Sequence, residues 1–153
     1  MPLEIHRGEL AHDDVQALLA DHVAAMRACS PLEACHVLPG SALDDPAITF
    51  FTARRKGRLL GIAALKVLAD RKGEVKSMRT APAALRQGVA AALLEALVAE
   101  ARERSCDALL LETGSGPEFE PASRLYDRAG FRPCGPFGGY SQDDFTRFLR
   151  LDL

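Results

Sequence analysis

Apolar and polar positions follow two rhythms along the chain, one of period two and one close to 3.6. Leu3 and Ile5 alternate with polar neighbours over residues 2–7, which predicts a first strand. From Asp13-Asp14, read as a cap, the spacing lengthens. Val15, Leu18, Leu19, His22, Val23 and Met26 then recur on one face of a helix. Pro31 suits the first turn of a second, shorter helix that carries Glu33 and His36 and ends near Pro39-Gly40. A polar loop over 41–47 follows. Ile48–Arg54 and Leu59–Ala69 read as strands, and the connection Arg55-Lys56-Gly57-Arg58 fits a hairpin turn. Gly73–Thr80 predicts a fourth strand, which Pro82 ends by biasing Ala81 away from helix.

The second half repeats the alternation on a larger scale. Val89–Arg104 is the clearest amphipathic helix, with Val89, Leu93, Leu94, Leu97, Val98 and Ala101 on one side. Ala108–Glu112 is a short continuous apolar run, the pattern of a buried central strand. Thr113–Pro117 forms a turn. Glu118–Ala129 predicts a helix with Gly130 as its left-handed cap. Phe131–Pro133 and Phe145–Leu151 are closing strands around a turn-rich GPFGGY loop. The order β-α-α-β-β-β-α-β-α-β-β predicts an α/β protein of the α+β type, with a mixed, mostly antiparallel sheet and helices on both faces. At 153 residues a single domain over 1–153 is expected.

Composition narrows the class. Hydrophobic residues at 48% and charged residues at 26% fit a globular chain, and a net charge of −2 predicts neither a nucleic-acid nor a membrane partner. The first residues hold no apolar signal core, so a cytoplasmic location is expected. Cys29, Cys35, Cys106 and Cys134 lack ligand spacing, and the four histidines form no zinc motif. No metal is expected.

Chemistry is concentrated at Leu85-Arg86-Gln87-Gly88-Val89-Ala90-Ala91. Here a strand and a Pro-broken turn run into a helix whose first residues are small. The first N–H groups of such a helix have no internal partner and favour an anion. The G-x-x-x-x-G-K-[ST] and G-x-G-x-x-G patterns are absent, so this is neither a Walker loop nor a dinucleotide fingerprint.

This stretch resembles the acyl-CoA-binding segment of the GNAT superfamily of N-acetyltransferases, [Q/R]-x-x-G-x-[G/A]. Gly88 and Ala90 fill the last two marked places, Leu85 occupies the first, and the arginine comes one position later at Arg86. A second stretch resembles that family's N-x-x-A-x-x-L-Y-x-x-x-G-F signature through Ala122, Leu125, Tyr126, Gly130 and Phe131, with Phe119 in the asparagine place. The resemblance covers roughly residues 48–151. The runs ITFF (48–51), GEVKSMRT (73–80) and LETG (111–114) look like a bacterial subgroup of poorly defined substrate.

The resemblance implies acetyl-CoA as cosubstrate. Backbone N–H groups over Arg86, Gln87, Gly88, Val89, Ala90 and Ala91 would hold its pyrophosphate. Met78, Arg79 and Thr80 would flank the pantetheine arm, and Ala122 and Leu125 would lie beside it. Tyr126 stands at the proton-donor place; a phenol of pKa near ~10 is protonated at neutral pH and can donate to a departing thiolate. For the base, Glu112 ends the apolar strand where sites collect in α/β sheets; Glu74, Glu33, His36 and ordered water are alternatives. Glu33 and His36 are candidate acceptor-binding residues, and Arg54 and Arg79 candidate partners for a substrate carboxylate. The acceptor is expected to be a small-molecule amine or amino-acid-like compound. A protein lysine or N-terminal acetyltransferase and a non-catalytic acyl-CoA-binding regulator are the alternatives. A homodimer remains open.

Overall fold

The computed structural model describes residues 2–30, 43–138 and 140–153. Among them, strands β1 (Glu4–Arg7), β2 (Ile48–Arg55), β3 (Arg58–Val67), β4 (Lys72–Thr80), β5 (Ala108–Thr113), β6 (Arg132–Pro133) and β7 (Arg147–Asp152) form one sheet. Its order is β1-β2-β3-β4-β5-β7-β6. Every pairing is antiparallel except β4 with β5. Helices α1 (Asp13–Cys29), α2 (Val89–Glu103) and α3 (Glu120–Arg128) cover it, and short 3-10 turns precede α2 and α3. The expected mixed, mostly antiparallel sheet is therefore present. The short helix expected after Pro31 lies outside the described residues, as do Glu33, Cys35 and His36.

Period-two alternation divides the core between the two faces of the sheet. Phe51, Ala53, Ala63, Leu65, Val75, Leu109 and Leu111 pack with Leu93, Leu94 and Leu97 of α2 and with Tyr126 of α3. Phe50, Ile62 and Ala64 face the other way, against Val15, Leu18 and Leu19 of α1. Leu93 and Leu97 are fully buried, so truncating either to Ala would cost about 2–5 kcal/mol. Gly61 sets how closely α2 approaches β3, because a Cβ there would stand 2.8 Å from Val89 Cγ1 and 3.0 Å from Leu93 Cδ1. The β2–β3 hairpin turns on two residues, Lys56 and Gly57, with φ of 53° and 78°. That is the left-handed pair that matches strand twist.

Two local expectations need correction. The residue capping α1 is His12, with no side-chain cap bond; Asp13 and Asp14 lie inside the first turn, where their charge suits the dipole. The helix expected from Glu118 starts at Glu120, because Pro117–Phe119 forms a 3-10 turn.

The feature that matters for function is a split in the middle of the sheet. β4 and β5 pair in parallel only over Lys72–Glu74 and Ala108–Leu110, and beyond that register they part. β4 also carries a bulge. Ile62 faces Arg79 and Ala64 faces Lys76, so two steps on β3 match three on β4. Ser77 adopts a φ of 51° there. A bulge bends its strand and raises the local twist, which here carries the end of β4 away from β5.

Candidate active site

The strand–helix connection after β4 presents unpaired N–H groups at a helix start. Arg86 and Gly88 both take left-handed conformations, with φ of 63° and 78°. Gly88 is the residue before α2, and the first internal helix bond runs from the Ala92 N–H to the Gly88 carbonyl at 3.1 Å. The N–H groups of Val89, Ala90 and Ala91 therefore precede that bond and lie at the positive end of the helix. Nothing lies within 4 Å of where a Gly88 Cβ would stand, so a ligand can approach the backbone. The Gln87 side chain braces the loop: its oxygen accepts from Arg55 Nη1 at 3.1 Å and its nitrogen donates to the Ala83 carbonyl at 3.3 Å. Arg86 is exposed, and so is Leu85, at 59%.

The split leaves the Ser77–Thr80 end of β4 without a strand on its β5 side. An extended ligand arm can line such an edge. Met78 packs toward the α2 core, and Thr80 opposes Gly61 on the same face. Arg79 opposes Ile62, so its side chain lies on the α1 face, opposite the helix that carries the anion loop. An acyl-CoA would fit these residues, with bare N–H groups available to its pyrophosphate and an open strand edge to its arm.

The C-terminus of α3 holds Tyr126 in place. The Phe131 N–H donates to the Tyr126 carbonyl and the Gly130 N–H to the Asp127 carbonyl, each at 3.0 Å. With Gly130 at φ 99°, this is a Schellman cap. The Phe131 ring then meets the Tyr126 ring edge-on at 5.6 Å. Tyr, Gly and Phe of the second motif thus form one device that fixes the tyrosine. Tyr126 is buried, and burial together with the Glu112 charge pushes its pKa up to about 12. Ala122, one turn earlier, and Leu125 pack against the same core.

Glu112 lies near the end of β5, opposite Phe148 of β7 and on the α1 face of the sheet. Burial raises its pKa to about 7; Lys76 partly offsets this, while Glu74 and Asp143 add to it. It has no ion pair among the described residues. Glu74, one of the alternative bases, is already engaged. Tyr140 donates its hydroxyl to Glu74 Oε2 at 2.7 Å, and Lys76 Nζ donates to the Tyr140 oxygen at 2.6 Å and to Glu74 at 3.3 Å. Burial and the Glu74 carboxylate hold the Tyr140 phenol well above its usual pKa, so it stays a proton donor in this chain. Phe137, Tyr140 and Phe148 form an aromatic wall beside it, with ring centroids 5.4–6.1 Å apart.

Arg54 is a correction. Its Nε donates to Glu9 at 2.8 Å, and its Nη1 and Nη2 reach the two oxygens of Asp14 at 2.7 and 3.0 Å. With both carboxylates committed to it, Arg54 ties α1 to the sheet and has no fork left for a substrate. Lys76, Ser77 and Tyr140 were missed from sequence. Lys76 looks like any strand-edge cation, and Tyr140 sits in a Gly-rich loop with no periodicity. Ser77 had a faint signal, a small polar residue in the middle of an otherwise regular strand. Among the described residues no group of three His, Cys, Asp or Glu could hold a metal ion. Cys29, Cys106 and Cys134 are free thiols. Among the described residues no helix is long and apolar enough to cross a membrane.

Comparison with known proteins points the same way. Residues 15–131 match the model of the acetyltransferase (GNAT) family. The chain is 43% identical over 149 residues to the uncharacterized N-acetyltransferase YedL of Escherichia coli, covering 97% of this chain and 94% of that protein. Among solved structures, it superposes on a putative acyl-CoA N-acyltransferase of Klebsiella pneumoniae with a TM-score of 0.80 at 27% identity, over 99% of this chain and 97% of the other. A Bacillus subtilis acetyltransferase solved in complex with CoA shares the fold, with a TM-score of 0.69 at 20% identity, covering 99% of both chains.

Proposed function

The chain belongs to the acetyltransferase (GNAT) family and is an acetyltransferase, and we propose that it transfers acetyl from acetyl-CoA directly to the amine of a small, amino-acid-like acceptor while both are bound. The observation that carries this reading is Glu112, a half-buried carboxyl with no ion pair among the described residues, whose pKa of about 7 suits a base working near neutrality.

The cosubstrate supplies an activated acetyl thioester. The N–H groups of Val89, Ala90 and Ala91 bind its pyrophosphate, and the open edge at Met78–Thr80 orients its arm. Ala122 and Leu125 line the other side. Glu112, directly or through one water, takes a proton from the acceptor ammonium so that the nitrogen can attack. The C–N bond forms as the C–S bond breaks, CoA leaves as the thiolate, and the nitrogen loses its second proton to water. Tyr126 donates its hydroxyl hydrogen to the sulfur. At about 12 its pKa exceeds that of an ordinary thiol, roughly 8.5, so the donation is a hydrogen bond that strengthens as negative charge develops on sulfur.

The reading is tested with acetyl-CoA and a library of amines, following release of the CoA thiol. Acetyl-CoA at a hundredfold its Kd should stabilise the protein by about 2.7 kcal/mol through mass action. At least one amine should drive continuous thiol release. No thermal shift at millimolar acetyl-CoA would refute the assigned cosubstrate site.

A further inference from the structure

Four polar atoms are buried without a hydrogen-bond partner among the described residues; Glu100 Oε1 is ion-paired with Arg7 at 2.6 Å, and the other three, Arg79 Nε, Ser77 Oγ and His22 Nδ1, lie on α1 or the bulged end of β4. His22 is 6% exposed and Ser77 9%. Buried polar groups are nearly always satisfied, because an unmade bond forfeits the hydration that folding removed. Three such atoms close together identify a place where something else supplies the partner.

They belong to one locality. Ser77 and Arg79 are two residues apart on β4, in and just after the bulge. α1 packs on β4, and the Arg79 charge reaches His22 closely enough to reinforce the effect of burial on the imidazole. His22 is therefore neutral at physiological pH, its pKa lowered to about 4, and does not compete with Arg79 for an anion as a second cation would. The contrast with Arg54 is informative. That buried guanidinium, on the same face of the sheet, is held by Glu9 and Asp14. Arg79 has no carboxylate within ion-pair distance among the described residues, although its Nε is sealed from water. A guanidinium is a rigid planar fork suited to two-point binding of a carboxylate, and a neutral imidazole and a hydroxyl add single bonds beside it.

The strained backbone supports a ligand role. Ser77 holds a φ of 51° that a non-glycine residue adopts at a cost. Such conformations persist where the surroundings enforce them and gather at ligand sites. The face also matters. Arg79 on β4 and Glu112 on β5 lie on the α1 side of the sheet, across the split from one another.

We propose that Arg79, with Ser77 and His22 beside it, is the recognition site for a carboxylate on the acceptor, whose amine is directed across the split toward Glu112. The acceptor is then an amino acid or a similar compound carrying both groups. This rests on the acetyltransferase reading above and deepens it.

The test compares free L-amino acids and ω-amino acids with their carboxamides, using acetyl-CoA and thiol release. Wild type should prefer the acid of a productive pair by about 100-fold or more in kcat/KM, the scale on which neutralising one partner of a buried charged pair weakens binding. Arg79→Gln should remove that preference mainly through KM, and Arg79→Lys should restore part of it. The Kd for acetyl-CoA should stay within about twofold in both variants, since the Arg79 side chain lies on the face away from the anion loop, whereas the scale for losing a charged contact is tenfold or more. Wild-type selectivity in a folded Arg79→Gln protein would overturn the proposal. So would a preference for aminophosphonates over the matching carboxylates, which would assign a larger oxyanion. Ligand-observed NMR on the same pairs reads the preference without turnover. Equal binding of acid and amide there overturns it, and tighter binding of the acid supports it. Failure of the transferase reading would look different: no amine of any kind would release thiol.

Discussion

Replacing Glu112 with Gln separates the effect of burial from the chemistry and requires no known acceptor. The carboxyl has a pKa of about 7 in the fold, against 4.5 for an unperturbed glutamate, and burial is the leading cause. The shift, 7 − 4.5 = 2.5 units, corresponds to about 3 kcal/mol at 1.36 kcal/mol per unit. The sign follows from proton counting. Between pH 4.5 and 7 the unfolded chain has lost the Glu112 proton while the folded chain retains it, so stability falls as pH rises through that window. Below it both states are protonated and the glutamate behaves like its neutral amide isostere. Above it both are ionised and the full cost of burying the charge is present. Glu112→Gln removes that cost. The variant should match wild type near pH 4.5 and exceed it by about 3 kcal/mol at pH 8.5, or roughly 6–12 °C in Tm for a chain of this size. Urea or thermal unfolding followed by circular dichroism at both pH values measures the difference. A stability difference that does not change with pH would refute the raised pKa of this half-buried carboxyl. The same substitution should lower kcat by about 10²–10⁴-fold and remove the acidic limb, near pH 7, from the kcat/KM profile.

Two further outcomes follow from the same geometry. Tyr126→Phe keeps the ring contact with Phe131, so stability should change little; kcat should fall by roughly 10²–10³-fold while the Kd for acetyl-CoA holds, and unchanged kcat with chemistry limiting would remove the tyrosine from stabilising the departing sulfur. Gly88→Glu meets no atoms at its Cβ, so its structural cost is the left-handed φ of 78°, about 1–2 kcal/mol, while the new carboxylate repels phosphate; isothermal titration should show acetyl-CoA affinity down tenfold or more in a folded protein, and wild-type affinity would move the phosphate site.

What the sequence determined by itself is the set of features that short stretches of chain can specify. The apolar spacing of Val89, Leu93, Leu94 and Leu97 defines α2 because a helix face is a local repeat. Lys56-Gly57 sets the hairpin, and Gly130-Phe131 caps α3, because φ preferences belong to single residues and their neighbours. The anion loop is legible for the same reason: a helix start and its bare N–H groups need nothing distant.

Only the tertiary structure decided the chemistry within that frame. The pKa of Glu112 depends on how much water the sheet excludes, which no window of sequence reports. Arg54 finds Asp14 forty residues away, and Tyr140 finds Glu74 sixty-six away. These pairings spend one arginine and one carboxylate that looked available from sequence. Arg79 and Glu112 stand out as separate candidates in the sequence, but nothing local relates one to the other. The bulge at Ser77 and the parting of β4 from β5 place them on one face, across a gap that only the register of the sheet creates. Such pairings depend on contacts made once the whole sheet has closed, and local preference along the chain carries no record of them.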